Sequence, residues 1–238
     1  MGFVEAAGAR LHYEEHGDGE PLVLLHGNSE NLGYFAKQIP VFAEHYRVLA
    51  LDTRAHGEST RGDGPLDFAR LSDDVCAVLD AVGIESAHLL GYSDGGNTAL
   101  TLALRDPGRV RSLIVNGANL DPHGLGARFR VPATLAWLVG GLVEPLSAKV
   151  RRQHELLELM VRHPHIPAAD LASIAVPTLV IVGERDAIPR RHTELIARSI
   201  PDAELMYVPD AGHACAEQRP DVFNAAVLDF LAHIEAHD

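Results

Sequence analysis

Cysteine and lysine are scarce in this chain, and a long membrane-spanning hydrophobic run is absent. Of the two cysteines, Cys76 falls in a helical pattern and neither has metal-motif spacing, which favours buried small side chains over a disulfide or metal site. The start of the chain has no basic region followed by an apolar stretch, so no secretory signal is predicted. The uncharged run from Val131 to Val143 is 13 residues long, too short to span a bilayer. We therefore expect a cytoplasmic protein without membrane insertion.

Positive charge is also low. Twenty lysines and arginines face 33 acidic residues, which gives a formal charge of −13. A charge of this sign argues against nucleic acid or an anionic membrane as a partner, and leaves a small-molecule substrate as the expected one. The length of 238 residues and 47% hydrophobic content fit one globular domain.

One serine lies where a buried strand pattern meets a helix pattern. Residues 87–90 are typical of a short buried strand, residues 97–104 are typical of a helix, and Gly91-Tyr92-Ser93-Asp94-Gly95 lies between them. This G-x-S-x-G pattern predicts a tight turn that exposes the Ser93 Oγ at the carboxyl end of the strand. Ser93 is therefore the candidate nucleophile.

A candidate acid and a candidate base follow later in the chain. The β-branched run at residues 176–183 predicts a buried parallel strand, and Asp186 comes just after it. His213 lies on a predicted loop before the last helix. The order serine, aspartate, histidine is that of one class of triad enzymes. Asp121, after the sixth predicted strand, remains an alternative acid.

Two further segments complete a pattern. His26-Gly27-Asn28 follows an early strand, and Asp52 to Ser59 fits D-x-R-x-x-G-x-S, with Ala55 where the pattern usually has glycine. With the serine turn and the terminal Gly212-His213, the chain resembles the α/β-hydrolase family over nearly its whole length. The resemblance implies a Ser93–His213–Asp186 triad and an oxyanion hole formed by two backbone N–H groups, those of Asn28 and Asp94.

Strand patterns alternate with helix patterns along most of the chain, which predicts a mostly parallel, doubly wound α/β sheet with helices on both faces. Residues 2–16 predict a hairpin with residues 10–16 as an edge strand. Residues 121–170 break the alternation and predict a small helical cap inserted into a core formed by residues 1–120 and 171–238. We expect its uncharged run to line the substrate pocket, through Leu135, Trp137, Leu138 and Leu142.

These features predict a serine hydrolase that needs no metal or organic cofactor and forms an acyl-enzyme, with carboxylic esters as the favoured substrates. A serine nucleophile excludes the related dehalogenases and epoxide hydrolases, which use a carboxylate. Hydrolysis of lactones or C–C bonds stays open, as does a ligand sensor without turnover. The Asp94 side chain has two readings: a favourable charge at a helix start, or a partner for an ammonium group on the substrate.

Overall fold

The computed structural model describes residues 1–143 and 147–236. Eight strands form one sheet in the order β1-β2-β4-β3-β5-β6-β7-β8. Strands β3 to β8 are parallel, and β1 and β2 are antiparallel. The strands are β1 (Gly2–Ala6), β2 (Ala9–His16), β3 (Glu20–Leu25), β4 (Tyr46–Leu51), β5 (Ala87–Tyr92), β6 (Val110–Asn116), β7 (Thr178–Gly183) and β8 (Ala203–Val208).

The predicted hairpin forms, but its edge assignment was wrong. β1 pairs with β2, and β2 pairs on its other side with β4, so β1 is the edge strand. Burial explains the arrangement, since Ala9, Leu11 and His12 of β2 are buried whereas β1 is exposed or half-buried along its length. The alternating sequence pattern of β2 therefore reflects its position as the second strand from the end of the sheet, between β1 and β4.

Helices cover both faces of the sheet, as predicted. Apolar residues of α2, α3 and α6 pack on one face, and those of α1 and α8 pack on the other. The α-helices are α1 (Ile39–Phe42), α2 (Phe68–Ala81), α3 (Asp94–Arg105), α4 (Ala127–Val143), α5 (Ala148–Arg162), α6 (Arg190–Ser199), α7 (Cys215–Gln218) and α8 (Pro220–Glu235). None of the helices among the described residues is long and apolar enough to cross a membrane.

Helices α4 and α5 lie in the helical insertion, residues 121–170, between β6 and β7. Helix α5 is anchored to the body, because its Leu156 and Leu159 are buried in a small cluster with Ala55, Phe68 and Leu71. Arg152 of α5 also donates a hydrogen bond to the Ala55 carbonyl oxygen at 2.5 Å.

Helix α4 is held mainly through α5. The Trp137 ring stacks on the His154 ring of α5 at a centroid distance of 5.6 Å. The other large apolar side chains of α4 are substantially exposed. They are Phe129, Val131, Leu135, Leu138, Val139 and Leu142.

Candidate active site

Ser93 occupies a sharp turn between β5 and α3. Its backbone has φ +53° and ψ −115°, a conformation that costs a non-glycine residue of the order of 1–3 kcal/mol. Gly91 and Gly95 permit this turn, because a Cβ at Gly91 would collide with the Gly95 backbone and one at Gly95 with the Leu25 carbonyl. The strained turn places the Ser93 Oγ at the carboxyl end of the parallel strands.

The structure brings Ser93, His213 and Asp186 together in a hydrogen-bonded chain. The Ser93 Oγ lies 3.1 Å from the His213 Nε2, and the His213 Nδ1 lies 2.9 Å from an Asp186 carboxylate oxygen. That carboxylate is buried and also accepts the Ile188 backbone N–H at 2.7 Å. Because a carboxylate only accepts, the proton of a neutral His213 lies on Nδ1 and Nε2 faces the serine hydroxyl.

Asp121 is engaged elsewhere. One of its carboxylate oxygens accepts the backbone N–H groups of His123 and Gly124, at 2.7 and 3.2 Å, and so caps a short 3-10 turn after β6. No hydrogen bond joins it to His213 in the described part of the chain. The geometry therefore favours Asp186 over Asp121 as the partner of the histidine.

The loop that contains Asn28 is held by two buried histidines. His26 accepts the Thr53 N–H at 3.0 Å on Nε2, and its Nδ1 faces the Gly27 carbonyl at 2.7 Å. His56 accepts the Ser29 N–H at 3.0 Å on Nε2. Both rings must be neutral to accept, and burial lowers the pKa of His26 and takes that of His56 to about 3. Both histidines belong to motifs recognised in the sequence, but their role in holding the loop is visible only in the structure.

Asp94 begins α3 directly after the serine, so its backbone N–H has no partner within the helix. The residue is 8% exposed, and its carboxylate accepts hydrogen bonds from two amides, the Asn28 Nδ2 at 2.8 Å and the Asn97 Nδ2 at 3.4 Å. Burial raises the pKa of Asp94 to about 6, against the opposing effect of these amides and of His213. The described contacts thus occupy both carboxylate oxygens.

Aromatic rings flank the histidine on the side of β5. The Tyr92 ring lies 5.0 Å from the His213 ring and stacks on Tyr34 at 4.2 Å. Near them lies Glu30, whose pKa burial raises to about 7. Tyr34 and Glu30 could not be identified from the sequence, because neither belongs to a motif and their proximity to His213 arises only on folding.

The contacts described for the predicted pocket residues Leu135 and Trp137 lie within the helical insertion, residues 121–170. Leu135, Leu138 and Leu142 are 58%, 54% and 81% exposed, and Leu135 lines a separate cavity of about 620 Å³ with Arg130 and other residues that include none of the triad. Trp137 packs on α5 instead. Among the described residues, α4 packs mainly against α5, with a smaller contact to the 3-10 turn at Pro122–Gly124. Pocket lining by these four residues stays a prediction.

In the described residues, no three histidine, cysteine or carboxylate side chains form a metal-binding group. Cys215 is buried and accepts a hydrogen bond from the Asn116 amide at 3.1 Å, while Cys76 is half-buried. Burial raises the pKa of both thiols, to about 12 for Cys215. Both cysteines are therefore protonated at neutral pH.

Comparison with known proteins identifies the family. The sequence model of a protein family described as having the alpha/beta hydrolase fold matches residues 20–159. The chain is 32% identical to the "Putative carbamate hydrolase RutD" of Azorhizobium caulinodans over 99% of this chain and 100% of that protein. It is 30% identical to a 2-hydroxy-6-oxo-6-phenylhexa-2,4-dienoate hydrolase of Burkholderia cepacia, over 94% and 92%.

The solved structure of Est816, described as an N-acyl homoserine lactone degrading enzyme, superposes with a TM-score of 0.79 at 32% identity. The match covers 96% of this chain and 99% of that one. Sequence, sheet order and serine turn agree with these likenesses, and the chain belongs to the alpha/beta hydrolase family.

Proposed function

We propose that this hydrolase cleaves small carboxylic esters through an acyl-enzyme on Ser93, without a cofactor. The observation that carries the proposal is the hydrogen-bonded chain from Ser93 through His213 to the buried Asp186. A serine hydroxyl becomes a nucleophile when a neighbouring base takes its proton, and this base is oriented by a carboxylate.

In the proposed reaction, the Ser93 oxygen attacks the ester carbonyl carbon while the His213 Nε2 takes its proton. Two backbone N–H groups, those of Asn28 and Asp94, donate hydrogen bonds to the negative oxygen that forms. His213 then gives the proton to the departing alcohol. A water molecule attacks the acyl-enzyme in the same way, and the carboxylic acid leaves.

Esters are favoured over amides because an alcohol is a better leaving group than an amine, so its departure depends less on protonation by His213. The second candidate is hydrolysis of a lactone or of a C–C bond next to a carbonyl, and it is supported by the names of the lactone-degrading and dienoate hydrolase relatives. A sensor that binds a ligand without turnover is the remaining alternative. The cytoplasmic location and an apolar acyl part of the substrate stay predictions.

Labelling with a fluorophosphonate, followed by a panel of p-nitrophenyl esters, a homoserine lactone, a carbamate and a dienoate ketone, tests the proposal. We expect multiple turnovers on esters and stoichiometric labelling, both abolished by Ser93→Ala. Ser173→Ala, which removes an exposed hydroxyl in a remote 3-10 turn, is the matched control and should behave as the parent. One turnover or none on every substrate would contradict an enzymatic role, and labelling of folded Ser93→Ala would contradict the nucleophile.

A further inference from the structure

The two residues that supply the proposed oxyanion N–H groups are also joined through their side chains. The Asn28 Nδ2 donates to one Asp94 carboxylate oxygen at 2.8 Å, and the same nitrogen donates to the Leu156 carbonyl oxygen of α5 at 2.8 Å. Both amide hydrogens of Asn28 are therefore used, one toward the nucleophile turn and one toward the helical insertion.

The second carboxylate oxygen of Asp94 also faces a donor whose orientation is fixed. The Asn97 Nδ2 points to Asp94 at 3.4 Å and to the Asn119 side-chain oxygen at 3.2 Å, while the Asn97 oxygen accepts the Asn119 backbone N–H at 2.9 Å. Turning the Asn97 amide over would break both bonds to Asn119. Turning the Asn28 amide over would remove its donors from Asp94 and from Leu156.

Position 94 therefore requires an acceptor on both sides, which a carboxylate offers and an amide does not. A buried carboxylate held only by amides is costly to keep, since no ion pair among the described side chains includes Asp94. A merely favourable charge at a helix start would need no such burial, because the N-terminus of a helix favours a carboxylate that is exposed.

We propose that the Asn28–Asp94 hydrogen bond fixes the spacing of the two oxyanion N–H groups and links that spacing to the position of α5. Asn28 and Asp94 then act through their side chains as positioning residues, in addition to the part of their backbones. This inference rests on the proposed function and replaces the sequence-based reading of Asp94 as a partner for a substrate ammonium group.

Exchanging the side chains at positions 28 and 94 separates the hydrogen bond between these residues from the link to α5. In Asp94→Asn, an amide group faces a fixed amide donor, so we expect kcat to fall by about 10- to 100-fold through displacement of the oxyanion donors. In the double variant Asn28→Asp with Asp94→Asn, the new amide donates to residue 28 and accepts from Asn97. The 28–94 bond is restored, but the Leu156 carbonyl now faces a carboxylate.

A second exchange keeps the link to α5. In Asn97→Asp with Asp94→Asn, the carboxylate lies on the other neighbour, and Asn28 still donates to residue 94 and to Leu156, although residue 97 loses its bond to the Asn119 side-chain oxygen. We expect both exchanges to recover kcat on a p-nitrophenyl ester to within a few-fold of the parent. We expect KM to rise above that of the parent only in the exchange at 28, because only that variant loses the bond to α5. Thermal melting identifies the variants that fold.

The proposal would be overturned if the folded double variant at 28 and 94 showed a loss in kcat equal to the product of the losses in the two single variants. It would also be overturned if Asp94→Asn lowered the melting temperature but left kcat unchanged. If the parent turns over no ester, the proposed function fails separately. The 28–94 link is then read from fluorophosphonate labelling rates and from melting temperatures of the parent, both single variants and their double. A coupling between positions 28 and 94 supports the link, and strictly additive effects contradict it.

Discussion

At the scale of one residue, the conformation of Ser93 is determined by its neighbours in the chain, whereas its partners in the triad come from distant segments. Its positive φ follows from the turn that two glycines allow, so the position of its Oγ was predictable from five residues of sequence. The sequence also favoured His213 and Asp186 as its partners but left Asp121 open as the acid, because both aspartates come after strands at the same sheet edge. Only the structure shows that His213 bonds to Asp186 and that Asp121 caps its own turn.

Replacement of each aspartate by asparagine distinguishes these roles. We expect Asp186→Asn to lower kcat by roughly 10²- to 10⁴-fold, because the amide favours the wrong imidazole tautomer. Asp121→Asn should cost less than about tenfold, since it weakens only a local cap. Steady-state kinetics on the best ester checks both, with circular dichroism as the folding control. The reverse order of losses would move the triad acid to Asp121.

At the scale of elements, α4 and α5 follow each other in the insertion but are stabilised differently. Sequence alone predicted that residues 121–170 are helical and apart from the alternating core, and it could not tell which helix is anchored. In the structure, α5 shares a buried cluster with the body, whereas the large apolar side chains of α4 named above are exposed. Assignment of residues 121–170 as a cap over the catalytic edge stays a prediction.

A matched pair of leucine truncations measures the difference. Leu159 is fully buried and Leu142 is 81% exposed. We expect Leu159→Ala to lower the free energy of unfolding by about 2–5 kcal/mol through a cavity. Leu142→Ala should change it by less than about 0.5 kcal/mol. Urea unfolding of both variants checks this, and equal losses would show that α4 is covered in solution.

Trp137 tests the predicted pocket. Its ring stacks on α5, so Trp137→Ala should lower the melting temperature by loosening α4. If the uncharged run also lines the acyl pocket, the preferred acyl length on an ester panel shifts with KM. Leu138→Ala, on the exposed part of the same helix, provides the comparison. An unchanged chain-length preference in both variants would remove these residues from the substrate site.

At the scale of the whole molecule, buried titratable groups act on stability in opposite directions. His26 and His56 have lowered pKa values when folded, so the stability they contribute is present above pH 6.5 and lost on acidification. Asp94 and Glu30 have raised pKa values, about 6 and about 7. Their burial costs most at high pH, and acidification relieves it. The net pH dependence is the difference between these two sets.

His56→Asn isolates the contribution of His56 to the pH dependence of stability, because the contributions of the carboxyl groups cancel in the comparison with the parent. Between pH 7 and pH 5 the unfolded chain protonates His56 whereas the folded chain does not, since its folded pKa is about 3. The parent should therefore lose about 2 kcal/mol more than the variant over this range. Chemical unfolding at both pH values measures it, with exposed His45→Asn as control. A pH-independent difference would contradict a buried neutral His56.

The sequence by itself determined the family, the alternation of strands and helices, and the tight turn at Ser93, because these depend on residues close together in the chain. It also placed Asp186 and His213 at strand ends. Tertiary structure alone decided that β1 is the edge, that α4 remains exposed, and that the Asn28 amide joins Asp94 and Leu156. Those partners lie 66 and 128 residues away, and no local pattern encodes a hydrogen bond over such separations.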